Sequence, residues 1–191
     1  MMLAPTKRRT VWPRILGLSC AMACAVAAGC ARNVRPIQPV PHVDLPRFMG
    51  AWYVIASIPS FLEKNAYNAI ESYELLPDGR IQTTFRYRNN GFDTALKAMH
   101  PIGTVLPNTG SAVWSMQFIW PIGAEYIVAY LDDQYDETII ARNKRDYVWI
   151  MARTPSISQA EYAALVERVR QLGYSTKDLR KVPQQWPERS P

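Results

Sequence analysis

Apolar and polar residues alternate with a period of two through most of the chain between Gly50 and Ala152. The clearest run is Arg80 to Arg88, in which every second side chain from Ile81 to Tyr87 would share one face. Such alternation is typical of a β-strand with one buried and one solvated face. It predicts eight strands, near residues 52–58, 69–76, 80–88, 95–105, 114–120, 126–130, 138–142 and 147–151. Eight short strands joined by short turns favour an all-β, antiparallel up-and-down barrel.

The period changes after Pro155. Ser158 and Glu161 have the spacing of a capping box, in which each residue satisfies a backbone N–H of the other. Gly173 has the position of a C-terminal cap residue. Between the caps, apolar residues recur at helical spacing: Tyr162, Leu165, Val166, Val169 and Leu172. The pattern predicts one amphipathic α-helix, packed on the outside of the barrel.

The N-terminus has the three regions of an export signal. Basic residues at 7–9 are followed by an uncharged run, 15–28, which is too short for a membrane-spanning helix. Small residues then precede Cys30. This ending resembles the lipobox of bacterial lipoproteins, in which the signal peptide is removed just before a cysteine that carries lipid. An ordinary secretory signal, cleaved elsewhere, is the alternative.

Charge and cysteine content narrow the function classes. The net charge is +6, but residues 1–29 hold four basic and no acidic residues, which leaves 18 basic against 16 acidic residues over 30–191. The excess is therefore not evidence for nucleic-acid binding. Two of the three cysteines, Cys20 and Cys24, lie in the signal, and lipidation would modify Cys30. The mature chain is thus expected to form no disulfide and no cysteine metal site.

These signals predict four segments. Residues 1–29 form a lipoprotein signal peptide, and 30–43 comprise the lipidated cysteine and a Pro-rich tether. The barrel domain covers 44–182, and 183–191 form a flexible tail rich in Pro and Gln.

Two stretches carry a family resemblance. Gly50-Ala51-Trp52-Tyr53 is similar to the Gly-x-Trp-Tyr motif of lipocalins, and 145–155 resemble the last-strand region of the bacterial lipocalins. That branch comprises outer-membrane lipoproteins related to apolipoprotein D, and the resemblance extends over 43–185. It implies structural roles for Gly50, Trp52 and Arg153. The Arg153 guanidinium would cover the Trp52 ring at the closed end of the barrel.

An eight-stranded barrel can hold one small ligand. The inward candidates are Tyr73, Phe85, Tyr87, Trp114, Met116, Phe118, Tyr126, Val128, Trp149 and Met151. This apolar and aromatic wall favours an acyl chain. The expected ligand is a fatty acid or lysophospholipid, stored or transported, as the resemblance also implies. Retinoids, tetrapyrroles and sterols would fit such a wall too. A filled barrel, acting as an envelope scaffold without a ligand, is the alternative function.

Catalytic signals are poor, and no enzyme activity, metal or cofactor is expected. His42 and His100 are the only histidines, and neither has a partner at metal spacing. Glu71 and Glu74 are three apart on a strand, so they face opposite sides and form no carboxylate pair.

The anchor sets the expected location. Ala31 follows Cys30 where an Asp would retain a Gram-negative lipoprotein at the inner membrane, so outer-membrane attachment facing the periplasm is expected. In another type of cell the anchor would lie in the cell membrane. The membrane is thus one partner, whereas the sequence leaves open whether the chain forms a homodimer.

Overall fold

The computed structural model describes residues 35–60, 63–119 and 122–188, so the signal peptide and Cys30 lie outside the described residues. Two α-helices and ten strands follow one another in the chain. Their bounds are α1 Leu45–Phe48, β1 Gly50–Ile58, β2 Ala66–Leu75, β3 Ile81–Asn89, β4 Leu96–Met99, β5 Ile102–Val105, β6 Val113–Ile119, β7 Ile122–Leu131, β8 Glu137–Ala141, β9 Val148–Ala152, α2 Gln159–Gln171 and β10 Arg180–Lys181.

The strands form a closed, eight-stranded antiparallel barrel. Its order is β1-β2-β3-β5-β6-β7-β8-β9, and β9 pairs with β1 to complete the circle. The predicted fold class is therefore confirmed. One predicted strand, 95–105, is divided into β4 and β5, which both pair with β3. The break falls at Pro101, which has no N–H to donate to a neighbouring strand.

One end of the barrel is sealed by α1 and by aromatic side chains. We call it the closed end; the turns after β2, β5 and β7 lie there, and those after β1, β3, β6 and β8 surround the open end. Phe48 and Trp52 are fully buried at the closed end, and the Trp52 Nε1–H donates to the Phe48 carbonyl at 2.8 Å. The Phe48 ring also meets the edge of Trp114 at a centroid distance of 5.4 Å.

Arg153 connects several elements at this end of the barrel. Its guanidinium carbon lies 3.8 Å from the centroid of the Trp52 ring. The same group donates to the carbonyls of Ala51 at 2.9 Å and Arg47 at 2.8 Å. Gly50 adopts a φ of +91° directly beside it, a conformation that other residues rarely take. Arg153 therefore links α1, β1 and β9 through one side chain.

Helix α2 packs on the outer wall, as predicted. Ser158 and Glu161 form the complete capping box, and Gly173 has a φ of +90° just past the helix end. Leu165 and Val169 are buried against an apolar outer surface contributed by β7, β8 and β9. This second cluster is separate from the cluster inside the barrel, so the strands in between are apolar on both faces.

Both chain segments predicted to be loose lie against the barrel in their described parts. In the predicted tether, the Val40 N–H donates to the Val128 carbonyl at 2.9 Å and the Val43 N–H to the Gly110 carbonyl at 2.8 Å. In the predicted tail, the Gln184 side-chain amide donates to the carbonyls of Val54 at 2.8 Å and Ala69 at 3.1 Å. Residues 183–188 thus bridge β1 and β2 where these strands separate.

We expect Arg153→Lys to lower the free energy of unfolding by about 2 kcal/mol, because an ammonium group cannot reach several carbonyls and also cover an indole ring. Urea unfolding measures the change. Arg170→Lys is the matched control: Arg170 is exposed on α2 and pairs with Glu167, so its replacement should cost about 0.5 kcal/mol or less. Equal losses in the two variants would contradict the role given to Arg153.

Candidate functional site

Most of the side chains predicted to line the barrel meet in its interior. Eight of the ten lie in one buried cluster: Tyr73, Phe85, Tyr87, Trp114, Met116, Tyr126, Val128 and Met151. Trp149 packs against this cluster and is partly exposed. Phe118 differs, because its side chain is 52% exposed near the open end. There β6 shifts its register against β7 between Gln117 and Ile119, which interrupts the alternation on which the prediction rested.

The half of the interior next to the closed end is filled by aromatic rings. Trp114 stacks on Tyr126 with ring centroids 4.7 Å apart and an angle of 4°. Tyr73 meets both rings edge-on, at 5.7 and 6.2 Å. These residues form a packed floor. They contribute to core stability, and they would limit how deep a ligand could enter the barrel.

A carboxyl group lies directly above this floor. Glu71 faces inward, two residues from Tyr73 on β2, and accepts a hydrogen bond from the Tyr73 hydroxyl. The Tyr73 hydroxyl also lies 2.5 Å from the Tyr126 hydroxyl. Burial raises the pKa of Glu71 from 4.5 to about 7, against the opposing effect of the Tyr73 hydrogen bond. Glu71 was not among the predicted site residues, although its period-two spacing from Tyr73 is the signal that would have found it.

A second buried carboxylate lies nearer the open end. Glu63, in the connection between β1 and β2, accepts from the Trp149 indole N–H and the Ser60 hydroxyl, each at 2.8 Å. Its side chain is 8% exposed, and burial raises its pKa. No periodicity marks a loop residue of this kind, so the sequence carried no signal for it. The neighbouring pair Phe61-Leu62 lies outside the described residues.

Above the floor, some inward side chains are incompletely covered. Glu71, Met99 and Trp149 all face inward, yet each is only partly buried. An inward side chain in a solid core would be fully covered, as Trp114 is at 0% exposure. We call the part of the interior that holds these three partly covered side chains the accessible half.

The described residues contain no cluster of His, Cys, Asp or Glu that could hold a metal ion. His42 and His100 are both exposed. Within the same residues, neither helix is long and apolar enough to cross a bilayer.

A closed antiparallel barrel with one external helix and an interior accessible from one end is the architecture of lipocalins. The sequence profile of the Lipocalin-like domain matches residues 43–184, and the chain belongs to this family. Lipocalins bind small hydrophobic ligands and are generally binding proteins rather than enzymes.

Individual relatives agree with this assignment. The chain is 32% identical over 163 residues to temperature-induced lipocalin-1 of Arabidopsis thaliana, covering 78% of this chain and 84% of the relative. It is 28% identical over 151 residues to the outer membrane lipoprotein Blc of Escherichia coli K12, covering 76% and 83%. Among solved structures, insecticyanin from the tobacco hornworm Manduca sexta superposes with a TM-score of 0.63 at 16% identity, covering 81% and 87%. That likeness concerns the fold alone.

We expect Glu71→Gln to stabilise the protein more at high pH than at low pH. A carboxyl whose pKa is raised on folding loses stability as the pH rises from its unfolded value of 4.5 to its folded value of about 7. Glutamine stays neutral, so the gap in free energy of unfolding should widen through this window, by up to about 3 kcal/mol.

Urea unfolding at pH 5 and pH 8 measures this gap. Glu74→Gln, on the exposed face of the same strand, is the matched control and should show the same small change at both pH values. A Glu71→Gln gap that does not change with pH would contradict the buried environment assigned to Glu71.

Proposed function

We propose that this lipocalin binds a fatty acid or a lysophospholipid inside its barrel, and stores or transports it in the cell envelope. The observation that carries the proposal is an apolar, aromatic interior, closed at one end, in which the inward side chains of Glu71, Met99 and Trp149 remain partly exposed. Family membership supports a small hydrophobic ligand, and the chemistry of the wall supports the choice of an acyl chain.

The partly covered inward side chains of the accessible half are surrounded by apolar ones, most of which are buried. Phe85 and Tyr87 stack on one wall with ring centroids 5.1 Å apart, and Met99 pairs with Phe85 across the strands. Met151 and Trp149 belong to the opposite wall, formed by β9. Each methylene buried among them contributes about 0.8 kcal/mol, so a chain of ten would gain roughly 8 kcal/mol before the costs of binding.

The two buried carboxylates favour one orientation of the ligand. An ionised head group placed at the floor would face Glu71, and one placed midway would face Glu63. Like charges about 10 Å apart in a protein repel by roughly 1–2 kcal/mol at an effective dielectric constant near 20. The acyl chain therefore enters tail first, and the head group stays at the open end, in contact with water.

The proposed anchor is a lipid on Cys30. Its support is the uncharged run ending in small residues before the cysteine, and the names of the Blc relatives, which are outer membrane lipoproteins. Attachment to the outer membrane on the periplasmic side follows from Ala31 at the next position. Residues 1–29 are then removed as the signal peptide, and nothing in this proposal requires catalysis.

A second candidate function has one observation in its favour. The aromatic floor of Trp114, Tyr126, Tyr73 and Phe48 already fills the closed-end half of the barrel. If side chains from the connections at the open end filled the remainder, the barrel would be an envelope scaffold without a ligand.

Native mass spectrometry of the lipoprotein, extracted from its own membranes with mild detergent, tests the proposal. We expect one acyl-chain lipid for each barrel, because an eight-stranded barrel is just wide enough to hold one small ligand. The refolded, delipidated protein should take up palmitate or a lysophospholipid to the same stoichiometry. A barrel without co-purified lipid that also fails to saturate with either probe would favour the scaffold.

Trp149→Ala should weaken lysophospholipid binding about tenfold, because it removes a large apolar contact from the accessible half. Fluorescent-lipid displacement measures the affinity, and thermal unfolding measures stability in parallel. Trp186→Ala is the matched control: Trp186 packs on Tyr53 at the outer wall, so its loss should leave the affinity unchanged. An unchanged affinity in Trp149→Ala would assign this residue to structure alone.

A further inference from the structure

The first described residues of the chain lie at the open end of the barrel. The Arg145 guanidinium donates to the Arg35 carbonyl at 2.6 Å, and the Ile37 N–H donates to the Asn143 side-chain oxygen at 2.7 Å. Arg145 and Asn143 both belong to the turn between β8 and β9, which is one of the turns at the open end. The chain therefore reaches the barrel beside its mouth.

From there the segment descends along the wall to the closed end. Val40 bonds to Val128 on β7, and Val43 bonds to Gly110 in the turn after β5. A Cβ on Gly110 would lie 2.0 Å from the Pro41 carbonyl oxygen, so the segment passes directly over this glycine. Ile37 and Val43 are 5% and 1% exposed. This route is fixed by hydrogen bonds and burial along its length.

The two ends of the barrel differ in charge. Residues 132–137, which comprise the closed-end turn between β7 and β8 and the first residue of β8, contain four acidic and no basic residues, and Arg47 and Arg153 donate to carbonyls of this turn. The open-end turn between β8 and β9, residues 142–147, contains three basic residues and one acidic residue, Asp146, which pairs with Arg142 at 3.3 Å. Lys144 in that turn is exposed, and Arg32 and Arg35 add positive charge to the adjoining chain.

Exposed apolar side chains also occur at the mouth. Leu96 at the start of β4 is 47% exposed, and Phe118 near the end of β6 is 52% exposed. Leu75 and Leu106 at the closed end are each 38% exposed, so the two ends differ more in charge than in exposed apolar residues. Basic and exposed apolar residues at the same end of the barrel match the chemistry of an anionic phospholipid surface, which attracts the charges and accepts the apolar groups.

We propose that the open end is a surface that docks on an anionic phospholipid bilayer, so that the mouth of the barrel faces the membrane in which the chain is anchored. The proposal rests on the lipid at Cys30 from the proposed function. Cys30 precedes Arg35 by five residues, which span at most about 17 Å. Strands of nine or ten residues make a barrel roughly 25–30 Å tall, so this tether is too short to bring the closed end to the bilayer.

The orientation has a consequence for ligand transfer. A lipid that enters tail first must pass through the open end, and in this arrangement the open end lies at the bilayer surface. The acyl chain then moves between membrane and barrel without crossing bulk water, and the acidic closed end points away from the anionic lipids.

Site-directed fluorescence on the full, processed lipoprotein tests the orientation. Leu96→Cys at the open end and Leu75→Cys at the closed end form a matched pair, because both replace an exposed leucine. Each single cysteine carries an environment-sensitive dye, and the protein is added to preformed vesicles of phosphatidylcholine and phosphatidylglycerol that contain nitroxide-labelled lipid. We expect severalfold stronger quenching at position 96 than at position 75. Equal quenching, or stronger quenching at 75, would overturn the proposal.

Additional variants and vesicle compositions distinguish the possible outcomes. Phe118→Cys and Leu106→Cys provide a second pair at the open and closed ends if either first variant folds poorly. On vesicles of phosphatidylcholine alone, quenching at the open end should weaken. An unchanged signal would contradict the role that the proposal gives to anionic lipid. Protein that does not float with vesicles would overturn the anchor at Cys30 and the orientation together. Protein that floats with its closed end quenched would overturn the orientation and leave the lipid-binding proposal standing.

Discussion

A cylinder of strands is useful as a container only if one end is sealed, and here the seal depends on Arg153. Its guanidinium covers the Trp52 ring and donates to carbonyls of α1 and β1 from the last strand of the barrel. The contact joins the first and last strands at the point where the circle closes. Trp52 in turn supports Phe48, and the aromatic floor begins there. The depth of the interior is therefore set by this one arrangement.

Above the floor, the interior combines apolar walls with two carboxyl groups, those of Glu63 and Glu71, whose ionised form is disfavoured by burial. Neither Glu63 nor Glu71 has a basic partner among its hydrogen bonds in the described residues; both rely on hydroxyl or indole donors. Desolvation without a counter-charge is the reason that the pKa of each is raised. Such groups reduce stability near neutral pH, because burial disfavours their ionised form.

Both ends of the described chain pack against the barrel and form hydrogen bonds to its strands. The N-terminal segment runs beside β7 from the open to the closed end, and the C-terminal segment fills the gap where β1 and β2 separate. Trp186 and Glu188 also cover Arg86, a side chain that strand alternation places on a solvated face. The turn richest in acidic residues thus lies at the closed end of the barrel, and the turn richest in basic residues lies at the open end. The described chain begins beside the open end.

The sequence by itself determined the elements and the faces they bury, because periods of 2 and 3.6 and the Ser158–Glu161 capping box are local properties of the chain. That was enough to predict the closed barrel, the external helix and most of the inner wall. Tertiary structure decided what local pattern cannot encode. Proline-rich ends such as 35–43 and 183–188 bond to distant strands, Phe118 is exposed beside a register shift, and Glu63 becomes buried through a partner 86 residues away, Trp149. Each of these outcomes depends on which distant groups closure of the barrel brings together, and such contacts leave no periodic trace in the sequence.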